Sequence, residues 1–170
     1  MPRIHVCALS KVEETVIATG ARTLVTLINA DTEVPRPAEI AADRHLFVGM
    51  SDIVEAQRGH VLPEQMHVAH LLKFMRNWDR AEPVVVHCYA GVSRSTAAAY
   101  ICYCALRPEA CEYETARLIR EVSPTATPNS RLVEIADGML GRQGRMIDAV
   151  RAIGRGQDCF EGQPFALDVA

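Results

Sequence analysis

Pro83-Val84-Val85-Val86-His87-Cys88-Tyr89-Ala90-Gly91-Val92-Ser93-Arg94-Ser95-Thr96 decides how the rest of the chain is arranged. The β-branched run Val84 to Val86 predicts a buried strand. The far end runs into Ala97-Ala98-Ala99, and because alanine is the best helix former, a helix is predicted from Arg94 onward. Between strand and helix lies a tight loop with Cys88 at one end and Arg94 at the other, five residues between them and Gly91 in the middle.

Such a loop suits an oxyanion. Wrapped around a helix N-terminus, it aims several backbone N–H groups at one point, and the helix dipole adds positive potential there. Gly91 permits a backbone angle that a Cβ would resist. Arg94 offers a planar fork for two phosphate oxygens. The same positive field favours the thiolate of Cys88, and a thiolate beneath a bound phosphate is placed for in-line attack on phosphorus. The backbone of Tyr89, Ala90, Gly91, Val92, Ser93 and Arg94 is the expected phosphate cradle.

His87-Cys88-Tyr89-Ala90-Gly91-Val92-Ser93-Arg94-Ser95 resembles the H-C-x-A-G-x-x-R-S/T signature of the cysteine-based protein tyrosine phosphatases. The Ala-Gly-Val-Ser-Arg-Ser version is most similar to the dual-specificity phosphatases. The strand before it and the helix after it supply the context the motif requires. The resemblance implies that Cys88 is the nucleophile and that Arg94 binds phosphate. It implies that His87 braces the loop and keeps the thiol acidic, and that no metal or cofactor is needed. The Ser95 hydroxyl can hydrogen-bond the sulfur and help it leave.

The leaving oxygen needs an acid, on a separate loop able to close over the pocket. Asp52 is the candidate: it follows a strand end, precedes a polar loop and lies 36 residues before Cys88. Asp43 and Glu55 are the alternatives. In the dual-specificity phosphatases the acid is an Asp at a similar separation, so the resemblance implies this role for Asp52. Pro128-Asn129 resembles a Pro-Asn that borders the pocket in those enzymes; Asn129 also reads as a plain helix cap.

Composition agrees with a soluble globular chain. Of 170 residues, 49% are apolar and 23% charged. One domain over residues 1–170 is expected. A net charge of −3 and a pI near 6.1 argue against nucleic acid or an anionic membrane as the main partner. Met1 to Cys7 lacks the apolar core of a signal peptide, and no run is long enough to cross a bilayer. The six scattered cysteines read as reduced thiols, so a cytoplasmic location is expected. Arginine outnumbers lysine 16 to 2, a bias that fits a GC-rich, bacterial genome.

Taken in order, strands are predicted over Ile4–Leu9, Thr23–Asn29 and Arg44–Met50, besides the one before Cys88. Helices are predicted from Ser10 to Gly20, with Ser10 and Glu13 as a capping box, and from Pro63 to about Asp79. The helix from Arg94 is expected to end at Leu106. Further helices are expected over Cys111–Glu121, Ser130–Leu140 and Arg145–Ile153. The segment from Gly154 to Ala170 shows no period and is expected to be partly mobile. The fold class is α/β: a small, largely parallel central sheet flanked by helices, with a helical C-terminal part. The loop then sits outside the carboxyl end of a central strand, where such sheets hold their sites. His60, His67 and His70 read as ordinary helix and loop histidines rather than a metal site. Arg142, Arg145, Arg151 and Arg155 read as a solvated face.

The leading function is hydrolysis of a phosphate monoester, with phosphoprotein as substrate: phosphotyrosine first, then phosphoserine or phosphothreonine. The alternatives are a phosphoinositide or small-molecule phosphatase, and an inactive phosphate-binding module.

Overall fold

Four parallel strands form the frame, and the two central ones, Thr23–Ile28 and Val84–Cys88, are β-branched and leucine-rich runs. The computed structural model describes residues 1–170. The strands are β1 (Arg3–Ala8), β2 (Thr23–Ile28), β3 (His45–Gly49) and β4 (Val84–Cys88). A fifth, β5 (Phe165–Asp168), runs antiparallel to β1, and the sheet order is β3-β2-β4-β1-β5. The helices are α1 (Val12–Thr19), α2 (Gln65–Arg76), α3 (Arg94–Leu106), α4 (Glu112–Val122), α5 (Ser130–Leu140) and α6 (Arg145–Ile153). No helix is long and apolar enough to cross a membrane.

Strand alternation divides the core between the two faces. Ile4, Val6, Val25, Leu27, Val84 and Val86 face the large cluster built with α2 to α6. Cys7, Leu24 and Val85 face the opposite way, onto Val12 and Val16 of α1 and onto Ile40. The central strands β2 and β4 are buried throughout, which is why their sequences read as continuous apolar runs. Helix α3 is buried from Arg94 to Cys104, enclosed by the sheet and by α2, α4 and α5. That enclosure accounts for its small alanine residues, which let neighbouring backbones approach.

Three expectations need correction. Ser10 does not open a capping box: a short 3-10 turn covers Leu9–Lys11, and the Ser10 hydroxyl donates to the Glu161 carboxylate at 2.9 Å. The C-terminal segment does have a period: Phe165, Leu167 and Val169 are buried in alternation, and β5 pairs with β1 from Arg3 to Val6. The late arginines are not one solvated face, because Arg142 is buried and donates to Glu112 Oε1 at 2.9 Å and to the Cys104 carbonyl at 2.6 Å.

Candidate active site

Cys88 is the last residue of β4, and Arg94 the first of α3. The thiol is 2% exposed, at the bottom of the loop that joins them. Its Sγ accepts from the Gly91 N–H at 3.3 Å and lies 3.1 Å from Ser95 Oγ.

The loop's shape is enforced from outside. The Tyr89 carbonyl accepts from the Leu9 N–H at 3.1 Å, the Ala90 carbonyl from Gly162 at 2.9 Å, and the Val92 carbonyl from Thr127 at 2.9 Å. In a planar trans peptide the carbonyl and the following N–H point opposite ways, and the chain has no cis bond. Carbonyls drawn outward therefore turn the N–H groups of Ala90, Gly91 and Ser93 inward. Gly91 is required twice over: its φ is +71°, and a Cβ there would lie 2.9 Å from the backbone of Ala8 and Cys7.

Arg94 is 7% exposed. Its Nη1 donates to Asn29 Oδ1 at 2.7 Å and to the Met50 carbonyl at 2.9 Å. Both acceptors lie just beyond the carboxyl ends of parallel strands, β2 and β3. Nη1 is thus anchored, while the buried Nε has no partner in the protein. Nε and Nη2 form the side-on fork of a guanidinium, so the free edge matches two oxygens of one anion.

Asp52 is exposed and lies in the irregular segment after β3. Its Oδ1 accepts from Ser93 Oγ at 2.7 Å and from Asn129 Nδ2 at 2.9 Å. Asn129 is also the cap of α5, its Oδ1 accepting from the Leu132 N–H at 3.0 Å. The structure therefore brings Asp52, Ser93 and Asn129 into one hydrogen-bonded cluster beside the loop. Asp43, by contrast, lies in a 3-10 turn before β3, at that strand's opposite end.

His87 is fully buried, with Nδ1 3.0 Å from the Cys88 carbonyl and Nε2 2.7 Å from Thr26 Oγ1. A carbonyl can only accept, so Nδ1 carries the proton. Burial, partly opposed by that bond, pushes the imidazole down to about 4, so it is neutral and Nε2 accepts from Thr26. The threonine oxygen is then free to accept from His45 Nε2 at 2.8 Å. Burial pushes the Cys7 thiol up to about 12, despite a hydrogen bond from Thr15. Burial also pushes Cys104 up to about 12.

Sequence reasoning missed Asn29, Thr26 and Gly162. For Asn29 the usable signal was position, since residues just past parallel strand ends line such sites. Nothing in the local sequence pointed to Gly162, whose absent side chain lets the C-terminal segment press against the Gly91 carbonyl; a Cβ there would come within 2.8 Å of it.

The sequence model of the family described as Protein-tyrosine phosphatase matches residues 57–124. Solved structures share the fold at low identity. The phosphatase PTP-2 of Cydia pomonella has a TM-score of 0.62 and 20% identity, over 79% of this chain and 84% of its own. Human DUSP28 has a TM-score of 0.62 and 17% identity, over 89% and 95%. PTPMT1 has a TM-score of 0.59 and 15% identity, over 89% and 95%. Comparison with curated protein sequences finds no match. The five-stranded sheet with its six helices is the protein tyrosine phosphatase and dual-specificity phosphatase architecture. The chain has the fold of these phosphatases, and within it residues 57–124, which include the Cys88–Arg94 loop, match the family's sequence model.

Proposed function

We propose that this chain hydrolyses phosphate monoesters through a cysteinyl-phosphate, with protein phosphotyrosine as the leading substrate and phosphoserine or phosphothreonine as further ones. In the first step the Cys88 thiolate attacks phosphorus, the S–P bond forms and the ester P–O bond breaks. Asp52 gives its proton to the departing oxygen. In the second step water attacks the phosphocysteine and loses a proton to Asp52. The S–P bond breaks, and the Ser95 hydroxyl donates to the sulfur as charge returns to it. Arg94 and the inward N–H groups of the loop hold the equatorial oxygens throughout.

One observation carries this reading: Arg94, at the end of the loop whose Gly91 N–H holds the Cys88 sulfur, keeps a buried Nε with no partner in the protein. A buried donor without an acceptor is costly, and a bound oxyanion supplies the acceptor. The loop between Cys88 and Arg94 contains no lysine, which favours a single phosphate monoester over a polyphosphorylated inositol headgroup.

The test is hydrolysis of an aryl phosphate with a chelator present, for wild type, Cys88→Ser and Asp52→Asn. Metal-independent turnover is expected, lost in Cys88→Ser, with a phosphocysteine trapped on rapid acid quench of the wild type. Near-wild-type turnover by Cys88→Ser would overturn the scheme. Assays on phosphotyrosyl, phosphoseryl and phosphothreonyl peptides and on phosphoinositides then rank the substrates.

A further inference from the structure

Ser93 stands at the N-cap of α3, where a serine oxygen ordinarily accepts from the first free N–H groups of the helix. It makes no such bond. Its hydroxyl instead donates to Asp52 Oδ1 at 2.7 Å, across 41 residues of sequence. The same oxygen accepts from Asn129 Nδ2 at 2.9 Å, across 77 residues. The orientation of the Asn129 amide follows from its other end, because Oδ1 accepts from the Leu132 N–H and Nδ2 also reaches the Ile53 carbonyl at 3.3 Å. The Asn129 N–H donates to the Ser93 carbonyl at 3.2 Å, so the two donors are tied to each other as well. Oδ2 of Asp52 takes no bond from the protein, and the residue is exposed.

We propose that Ser93 and Asn129 are positioning residues that latch the acid loop onto the phosphate loop and make Oδ2 of Asp52 the oxygen that carries the transferred proton. The proposal deepens the function proposed above and rests on Asp52 being the acid. An oxygen that already accepts two hydrogen bonds has little lone-pair density left for a proton, so the proton resides on the other oxygen. When Oδ2–H gives up its proton to the ester oxygen, the P–O bond breaks and the new carboxylate charge is shared with the two donors on Oδ1. In the hydrolytic step Oδ2 takes a proton back from the attacking water as the new O–P bond forms. The diverted Ser93 hydroxyl has a second effect: the first N–H groups of α3 remain uncapped and available to the oxyanion.

The experiment measures kcat on aryl phosphates graded from a good leaving group (2,4-dinitrophenyl) to a poor one (phenyl), for wild type, Asp52→Asn, Ser93→Ala, Ser93→Thr and the double variant. A good leaving group departs without an acid and a poor one does not. Asp52→Asn is expected to lose about 100-fold on phenyl phosphate and little on the dinitrophenyl ester. Ser93→Ala is expected to lose about tenfold on phenyl phosphate, the size of one hydrogen bond to a charged group, and under about twofold on the dinitrophenyl ester. Ser93→Thr restores the rate, and Ser93→Ala adds nothing on phenyl phosphate once Asp52 is Asn. Asn129→Asp keeps an acceptor for the Leu132 N–H but loses the donor, and is expected to follow Ser93→Ala. Equal losses on both esters, or an additive double variant, would overturn the latch while leaving Asp52 as the acid. Absence of leaving-group dependence in Asp52→Asn itself would overturn the acid assignment and the latch with it.

Discussion

Arg94 and Asn29 are joined by a 2.7 Å hydrogen bond across 65 residues of sequence. With the Met50 carbonyl, Asn29 takes up Nη1, while the Nε of the guanidinium has no partner in the protein. Asn29→Ala frees the side chain to rotate. The loss of one bond to a charged group is worth about 1.5–3 kcal/mol, so kcat/KM is expected to fall roughly 10- to 100-fold. Inhibition by orthophosphate or vanadate should weaken by a similar factor. Unchanged oxyanion inhibition would show that Arg94 is positioned without Asn29.

Gly162 touches no substrate in the proposed scheme, yet its backbone supports the loop from behind through the Ala90 carbonyl. Gly162→Ala places a Cβ 2.8 Å from the Gly91 carbonyl oxygen, and that oxygen belongs to backbone, not to a side chain that can swing aside. The loop must shift, and catalytic groups tolerate shifts of about 1 Å poorly, with losses near 100-fold. A large drop in kcat with a modest change in thermal midpoint is the expected outcome. Full activity would mean that the C-terminal segment yields instead of the loop.

The parts of this fold that were legible in the sequence are those fixed locally. The bounds of α3, α5 and α6 match their sequence-based ranges, because Asn129 caps α5, Gly141 ends it in a left-handed turn, and Gly144 and Gly154 flank α6. Strand β5 was not legible: alternation over Phe165, Leu167 and Val169 is short, and its meaning depends on pairing with β1 at the other end of the chain. Ser10 carried a local capping signal that a carboxylate 151 residues away overrides. At the site, Cys88 and Arg94 are bound into one motif. Asn29 and the Ser93–Asp52 bond exist only once distant strand ends and loops meet.

Glu112 joins α4 to α6. Its Oε1 accepts from Arg142 Nη1 at 2.9 Å and from Arg145 Nε at 3.0 Å, and the Glu112 and Arg142 side chains are both almost wholly buried. Burial alone would raise the carboxyl, but backbone and arginine hydrogen bonds hold it below the usual range. Glu112→Gln keeps the volume and removes the charge, leaving Arg142 buried without its counter-ion. Breaking a buried pair in this way costs about 3 kcal/mol. A urea midpoint should fall accordingly, while the folded fraction retains its turnover, since no site residue contacts this pair. An unchanged midpoint would show that the Cys104 carbonyl alone suffices for Arg142.

His87 gives stability a pH dependence whose sign follows from its environment. Burial holds the folded imidazole down at about 4, against 6.5 for an unperturbed histidine, and nearby His45 and Arg94 push the same way. Between those two values the unfolded chain binds the proton and the folded chain does not. Stability therefore falls as pH drops from 6.5 towards 4, by about 3 kcal/mol at most from this residue. His87→Asn keeps a donor for the Cys88 carbonyl and cannot titrate. Urea unfolding at pH 7 and at pH 4.5 should show a drop in wild type that is about 2–3 kcal/mol larger than in the variant. His5 and His67 are shifted down too but are untouched by the substitution, so the difference reports on His87 together with His45, its partner through Thr26. Equal drops would mean that His87 is protonated in the folded protein, with the Thr26 hydroxyl turned away from Nε2.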